Sequence, residues 1–137
     1  MTDQEEPLPQ DSSGPTGPEG LASASVAETG GALVVSITGE LDISNIDSIA
    51  EVIYAQPNRA DGLVIDLAGV GYLDSSAVSL LHDLAVRLRG RAQRLVVVSP
   101  PGTPPRRILE LTALYVNAPI ADALDEGIRQ LRDTALP

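Results

Sequence analysis

Two hydrophobic periods alternate along this 137-residue chain. Short aliphatic runs read as strands, and stretches with apolar residues three and four apart read as amphipathic helices. "LASASVAETGGALVVSITGELD" (21–42) predicts two strands around a turn at Gly30-Gly31, the second over Leu33–Thr38. In "SNIDSIAEVIYAQ" (44–56), Ile46, Ile49 and Ile53 define a helical face, with Ser44 as the expected cap, Asp47 near the third helical position and Pro57-Asn58 as the stop. "DGLVIDLAG" (61–69) is a buried strand. Helical spacing resumes at Ser75-Ser76 with Ala77, Leu80 or Leu81, Leu84 and Leu88, and ends at Gly90. "RLVVVSP" (94–100) is a strand that must leave the sheet at its prolines. Thr103 caps a helix carrying Ile108 and Leu111 inward, with Pro104 in its first turn. Tyr115-Val116 is a candidate last strand, and a final helix after Pro119 places Ile120, Leu124, Ile128 and Leu131 on one face.

The predicted order, β-β-α-β-α-β-α-(β)-α, favours a mixed or parallel sheet with crossover helices in one domain. Residues 1–20 stand apart. They hold four prolines, three glycines and five acids with little to bury, and are expected to form a disordered leader. The folded region is expected over 21–132, with a short tail at 133–137.

Charge and composition narrow the chemistry. The net charge is −10, with nine arginines and no lysine, which argues against nucleic acid or an anionic membrane as the main partner. Six of the acids lie in residues 1–28, so the rest of the chain is only mildly acidic, at −4. There is no cysteine, which removes disulfides, thiolate catalysis and Cys-ligated zinc. The first residues show no secretory pattern and no run is long enough to cross a bilayer, so the expectation is a soluble cytoplasmic protein without direct membrane contact.

The chemistry-bearing stretch is "GVGYLDSSAVSLLHDLA" (69–85). A serine nucleophile needs a base and a group to orient it. The one histidine, His82, follows Ser76 by six positions on the same expected helix, roughly 120° around its axis, and cannot easily serve. No nucleotide-binding glycine motif is present, and Glu40, Asp42, Asp66 and Asp74 read as solvated acids before they read as a Mg²⁺ site. The residues therefore suggest neither an enzyme nor a cofactor. Two roles remain for the serines. One is capping of the helix that begins there. The other is phosphorylation, which adds about −1.5 to −2 charge at a helix N-terminus able to tolerate an anion. Tyr72 or Leu73 could anchor a partner beside them, or belong to the core.

"ALVVSITGELDISNIDSI" (32–49), "DGLVIDLAGVGYLDSSAVSLLHDLAVRL" (61–88) and "RLVVVSPPGTPPRRILELTALYVNAPIADALDEGI" (94–128) together resemble a STAS domain, and more narrowly the anti-sigma factor antagonists of bacterial partner-switching systems. The resemblance implies an α/β fold: a single domain with a mixed sheet of four or five strands and about four helices. It implies that Ser76 is a phosphoacceptor, with Glu40, Asp42, Asp74, Ser75 and Ala77 around it on a partner-binding surface. It also implies an anti-sigma factor with serine kinase activity as partner, which the unmodified form binds to release a sigma factor. A serine phosphatase would reset the phosphorylated form. The alternative is an unphosphorylated STAS adaptor of a lipid-transport or larger signalling complex. Ala77 and Ala113 ("LTALYV", 111–116) stand where this family commonly has glycine.

Overall fold

A computed structural model describes residues 22–29, 31–56 and 62–133. The expected leader at 1–20 and the last four residues lie outside the described residues. The elements are β1 (Ala22–Thr29), β2 (Ala32–Leu41), α1 (Ile46–Tyr54), β3 (Gly62–Leu73), α2 (Ser75–Arg89), β4 (Arg94–Val98), α3 (Pro104–Leu111), a 3₁₀ turn (Leu114–Val116), β5 (Ile120–Ala121) and α4 (Leu124–Asp133). The expected single α/β domain with a mixed sheet and four helices is what they form.

The five strands lie in sequence order, with β1 antiparallel to β2 and every later pair parallel. Sequential parallel strands joined by right-handed crossovers put all their connecting helices on one face. Accordingly α1, α2 and α3 share a core with Leu33, Val35, Ile37, Leu63, Ile65, Leu67, Leu95 and Val97. The alternate residues Val34, Val64, Val96 and Val98 face the other way, where Ile128 and Leu131 of α4 cover them. The strands are aliphatic on both faces because both faces are buried. Gly127 sits inside α4 despite its poor helix propensity. A Cβ there would lie 2.6 Å from Val98 Cγ2, so the glycine lets the helix approach the sheet.

Four expectations change. β3 runs to Leu73 rather than ending near Gly69, and it takes up two more residues than β2 through shifts at Ser36/Thr38 and Gly39/Glu40. Gly69 and Gly71 hide that extension from a pattern based on side chains. Asn45, not Ser44, holds the position before α1, and Ser44 turns back to Asp42. In α3 Ile108 packs partly buried against the core as expected, but Leu111 is 73% exposed, and the fully buried residues are Pro105 and Leu109, four apart. Tyr115-Val116 belongs to the 3₁₀ turn, and the last strand is Ile120–Ala121, so Ile120 pairs with Val97 rather than joining α4. The helix begins later because Glu126 reaches back to the N–H of Asp122 (3.1 Å), closing its first turn. Ala113 adopts φ 60°, ψ 31°, so the turn that commonly uses glycine is made by alanine in the left-handed region.

The α3 assignment is tested by a pair of substitutions. Leu109→Ala is expected to destabilise by about 2–5 kcal/mol, and Leu111→Ala by less than about 0.5 kcal/mol, in urea unfolding. Equal costs would place the wrong face inward.

Candidate functional site

The C-terminal ends of β2 and β3 lie side by side, with Glu40 opposite Tyr72 and Leu41 opposite Leu73. Asp42 and Asp74 are the next residues on each chain segment. Two sequence-distant motifs therefore share one rim, at the strand ends where α/β sheets commonly bind ligands.

Asp74 organises that rim. Its backbone N–H donates to Leu41 O (3.1 Å). One carboxylate oxygen, Oδ1, accepts from Ser76 N (2.9 Å), Ala77 N (3.2 Å) and the Ser76 hydroxyl (2.5 Å). The other, Oδ2, accepts from the N–H of Ile43 (3.1 Å) on the β2–α1 loop. A single side chain thus caps α2 and ties the loop to it. Partial burial opposes ionisation of Asp74. The hydrogen bonds from the Ser76 hydroxyl and from the N–H groups of Ala77, Ile43 and Ser76 outweigh it, holding the carboxyl below its ordinary range.

The β2–α1 loop is braced from within. Asp42 Oδ1 accepts from Ser44 N (2.9 Å) and its hydroxyl (2.5 Å). Asn45, only 2% exposed, accepts from Asp42 N (3.1 Å) and donates to Glu40 O (2.8 Å). This buried amide satisfies two backbone groups at a tight bend.

The site residues divide clearly by exposure. Ser75 and Glu40 are exposed; Ser76, Asp42 and Asp74 are half-buried. Ala77 is fully buried, its methyl in the core, so it offers no side-chain surface to a partner. The reason is helical: Ala77, Leu81 and Leu84 project from α2 onto the sheet. Leu73 is also core, leaving Tyr72, 46% exposed, as the apolar group on β3. Sequence periodicity did not single out Ile43, which is 79% exposed beside Asp74, or Asn45. An isolated isoleucine in a loop "DISN" is a usable signal for the first; the second needs the fold.

The arrangement does not activate a nucleophile. His82 instead pairs through Nδ1 with Asn117 Nδ2 (2.9 Å), and the group on the Ser76 hydroxyl is the Asp74 carboxylate. No group of three or more His, Cys, Asp or Glu able to hold a metal occurs among the described residues, where Asp66 accepts from the N–H of Ala68. No helix among them is long and apolar enough to cross a membrane.

A family model described as "Mlab, STAS domain" matches residues 24–116. The chain belongs to the STAS domain family. Its structure is similar to the crystal structure of an anti-sigma factor antagonist from Mycobacterium paratuberculosis, with 29% identity and a TM-score of 0.73 over 82% of this chain and 95% of that one. An anti-sigma-factor antagonist (STAS) domain protein from Planctomyces limnophilus shares the fold at 20% identity and TM-score 0.68, covering 80% and 97%. So does the anti-sigma factor antagonist SpoIIAA in its unphosphorylated form, at 19% identity and TM-score 0.62 over 83% and 100%. A comparison with curated protein sequences finds no match.

The Asp74 clamp carries a pH signature. Its folded pKa is depressed, so its share of stability is complete above about pH 4, the unfolded value, and is lost as pH falls through the folded one. Asp74→Ala is expected to destabilise by about 1–2 kcal/mol at pH 7 in urea unfolding. That deficit should narrow as the protein is acidified below pH 4. A deficit unchanged from pH 7 to pH 3 would contradict the clamp.

Proposed function

We propose that this protein is a phospho-regulated anti-sigma factor antagonist: a substrate of a kinase rather than an enzyme. Unmodified, it docks on an anti-sigma factor and so frees a sigma factor. Phosphorylation of Ser76 by that anti-sigma factor, acting as a serine kinase, ends the interaction, and a serine phosphatase restores it in the cytoplasm. The observation that carries this reading is the position of Ser76. Its half-buried hydroxyl lies at the start of α2, hydrogen-bonded to Asp74, the same carboxylate that accepts from the N–H of the exposed Ile43.

The chemistry follows from that position. In the unmodified state the Ser76 hydroxyl donates to Asp74, and Asp74 holds Ile43 through its backbone. Phosphorylation replaces that O–H donor by an ester oxygen and sets a phosphate of about −1.5 to −2 charge beside an ionised carboxylate. The phosphate competes with Asp74 for the N–H groups of Ser76 and Ala77, and like-charge repulsion acts against the bond from Asp74 to the Ile43 amide. An acidic rim of Glu40, Asp42 and Asp74 becomes more acidic, and the apolar loop residue loses its support. Either change opposes a partner packed over Ile43 and Tyr72. The buried Ala77 methyl does not obstruct a kinase, because it faces the sheet.

A second reading is favoured by one observation. Ser76 is already committed to a carboxylate, and a phosphate there meets that charge. The same rim could then serve an unphosphorylated STAS adaptor of a lipid-transport or larger signalling complex.

Intact-mass measurement with candidate anti-sigma factors and Mg-ATP separates the two. The switch predicts a gain of about 80 Da in the wild type and none in Ser76→Ala, with Ser76→Ala still binding the partner. Stable binding without any mass gain supports the adaptor. In either case Ile43→Asp is expected to weaken docking at least about tenfold, as an apolar anchor turned into a buried charge should. Unchanged affinity would remove the β2–α1 loop from the interface.

A further inference from the structure

The sheet has two edges, and they differ. At one, β5 is only two residues long (Ile120–Ala121). At the other, β1 runs for eight residues, and no strand lies on its outer side among the described residues. A bare strand of that length offers a row of backbone N–H and C=O groups for pairing. Proteins ordinarily blunt such an edge with lysine, proline, a bulge or a covering segment. β1 (ASASVAET) has no lysine and no proline, and it pairs with β2 in one unbroken register. Its residues 25–29 are all exposed.

The edge is apolar on one face. Ala24 and Val26 stand opposite Ile37 and Val35, on the face that α1 covers. Ala24 is buried there, but Val26 is 38% exposed. On α1, Tyr54 turns to Arg87 of α2. Val52 lies two positions earlier, roughly 200° around the helix, and so on the flank toward β1, which α1 touches. It too is only partly buried.

The strand is complementary to a second copy of itself. In an antiparallel ladder, two residues directly opposite either both bond across the pair or both point away from it. Identical strands can therefore pair about a twofold axis that passes through one residue and its own copy. With the axis at Val26, Val26 meets Val26, Ser25 meets Ala27, Ala24 meets Glu28 and Ser23 meets Thr29. Glu28, the one charged residue of the strand, then stands opposite alanine and not opposite itself. The chain preceding β1 is a poorer fit. Pro7, Pro9, Pro15 and Pro18 leave MTDQEE as its longest proline-free run, and half of that run is acidic.

We propose that this protein forms a twofold-symmetric dimer by antiparallel pairing of β1 with β1 of a second copy. Two five-stranded sheets become one continuous sheet, with Val26 of each copy at the axis and Val52 of each beside it. The pairing turns the two Ser76 rims in opposite directions, so the dimer leaves both open. The inference does not depend on the function proposed for Ser76.

Sedimentation of the full chain over a range of concentrations tests the dimer, and Val26→Cys tests its axis. The chain has no cysteine, so under mild oxidation this variant cross-links only where two copies of residue 26 come within disulfide reach. Residues directly opposite in an antiparallel pair do, with Cβ atoms about 4.5–5.5 Å apart. Most of the Val26→Cys chain is expected to cross-link, whereas Val86→Cys, at a 57% exposed position on α2, should stay a single chain. Val26→Lys should weaken dimerisation at least about tenfold, with circular dichroism matched to the wild type reporting that it is folded. A wild-type mass of one chain at every concentration up to about 1 mM would overturn the proposal. So would Val26→Cys cross-linking no faster than Val86→Cys, or a dimer that Val26→Lys leaves intact.

Discussion

One carboxylate holds the functional end of this molecule together. Asp74 receives four hydrogen bonds from three residues: two from Ser76, one from Ala77 and one from Ile43. Those bonds begin α2, orient the Ser76 hydroxyl and fasten the loop that follows β2. A cap usually stabilises its own helix alone. Here the second carboxylate oxygen reaches 31 residues back along the chain, so the state of the helix start and the position of the loop are joined. A chemical change at Ser76 therefore has a route to Ile43 that needs no movement of the sheet.

The rest of the fold makes that route stiff. β2 and β3 are paired through Leu41 and Leu73, both almost wholly buried, immediately before the two aspartates. Asn45 fixes the loop from below by pairing with the backbone of Glu40 and Asp42. At the other margin of the sheet Arg106 donates to Ser99 O and to Asp122 (each 2.7 Å), joining the start of α3 to the segment that leads into α4. These polar ties sit at strand ends, whereas the interior between them is aliphatic on both sides of the sheet. The interior is close-packed, and Ser76, Asp74 and Ile43 lie together at one rim of it.

How much of this was legible depended on whether side chains or backbone carried the information. The aliphatic runs of β2, β3 and β4 and the face of α2 were readable because burial selects residue type at every second or fourth position. The end of β3 was not, since Gly69 and Gly71 continue the strand without a side-chain signal. In α3 the spacing admitted two faces, and the choice between Leu109 and Leu111 depended on where the sheet lay. Ser76, Asp74 and Asp42 could be grouped from the motifs, and the structure brings them together through adjacent strand ends. The role of Arg106 was out of reach because it joins Asp122, 16 residues on, and that of Asn45 because it depends on the bend of its own loop, which no residue pattern announces. Ile43 lay in view as an apolar residue in a polar loop.

The central claim is that phosphate on Ser76 undoes docking through the Asp74–Ile43 tie. The most direct test is the affinity of homogeneous Ser76-phosphorylated protein for its anti-sigma factor, measured beside the unmodified form, with the Ile43 amide followed by NMR. The account predicts at least about a tenfold loss of affinity, equivalent to 1.4 kcal/mol or more, together with a shifted and faster-exchanging Ile43 amide. Equal affinities with an unmoved Ile43 amide would contradict it.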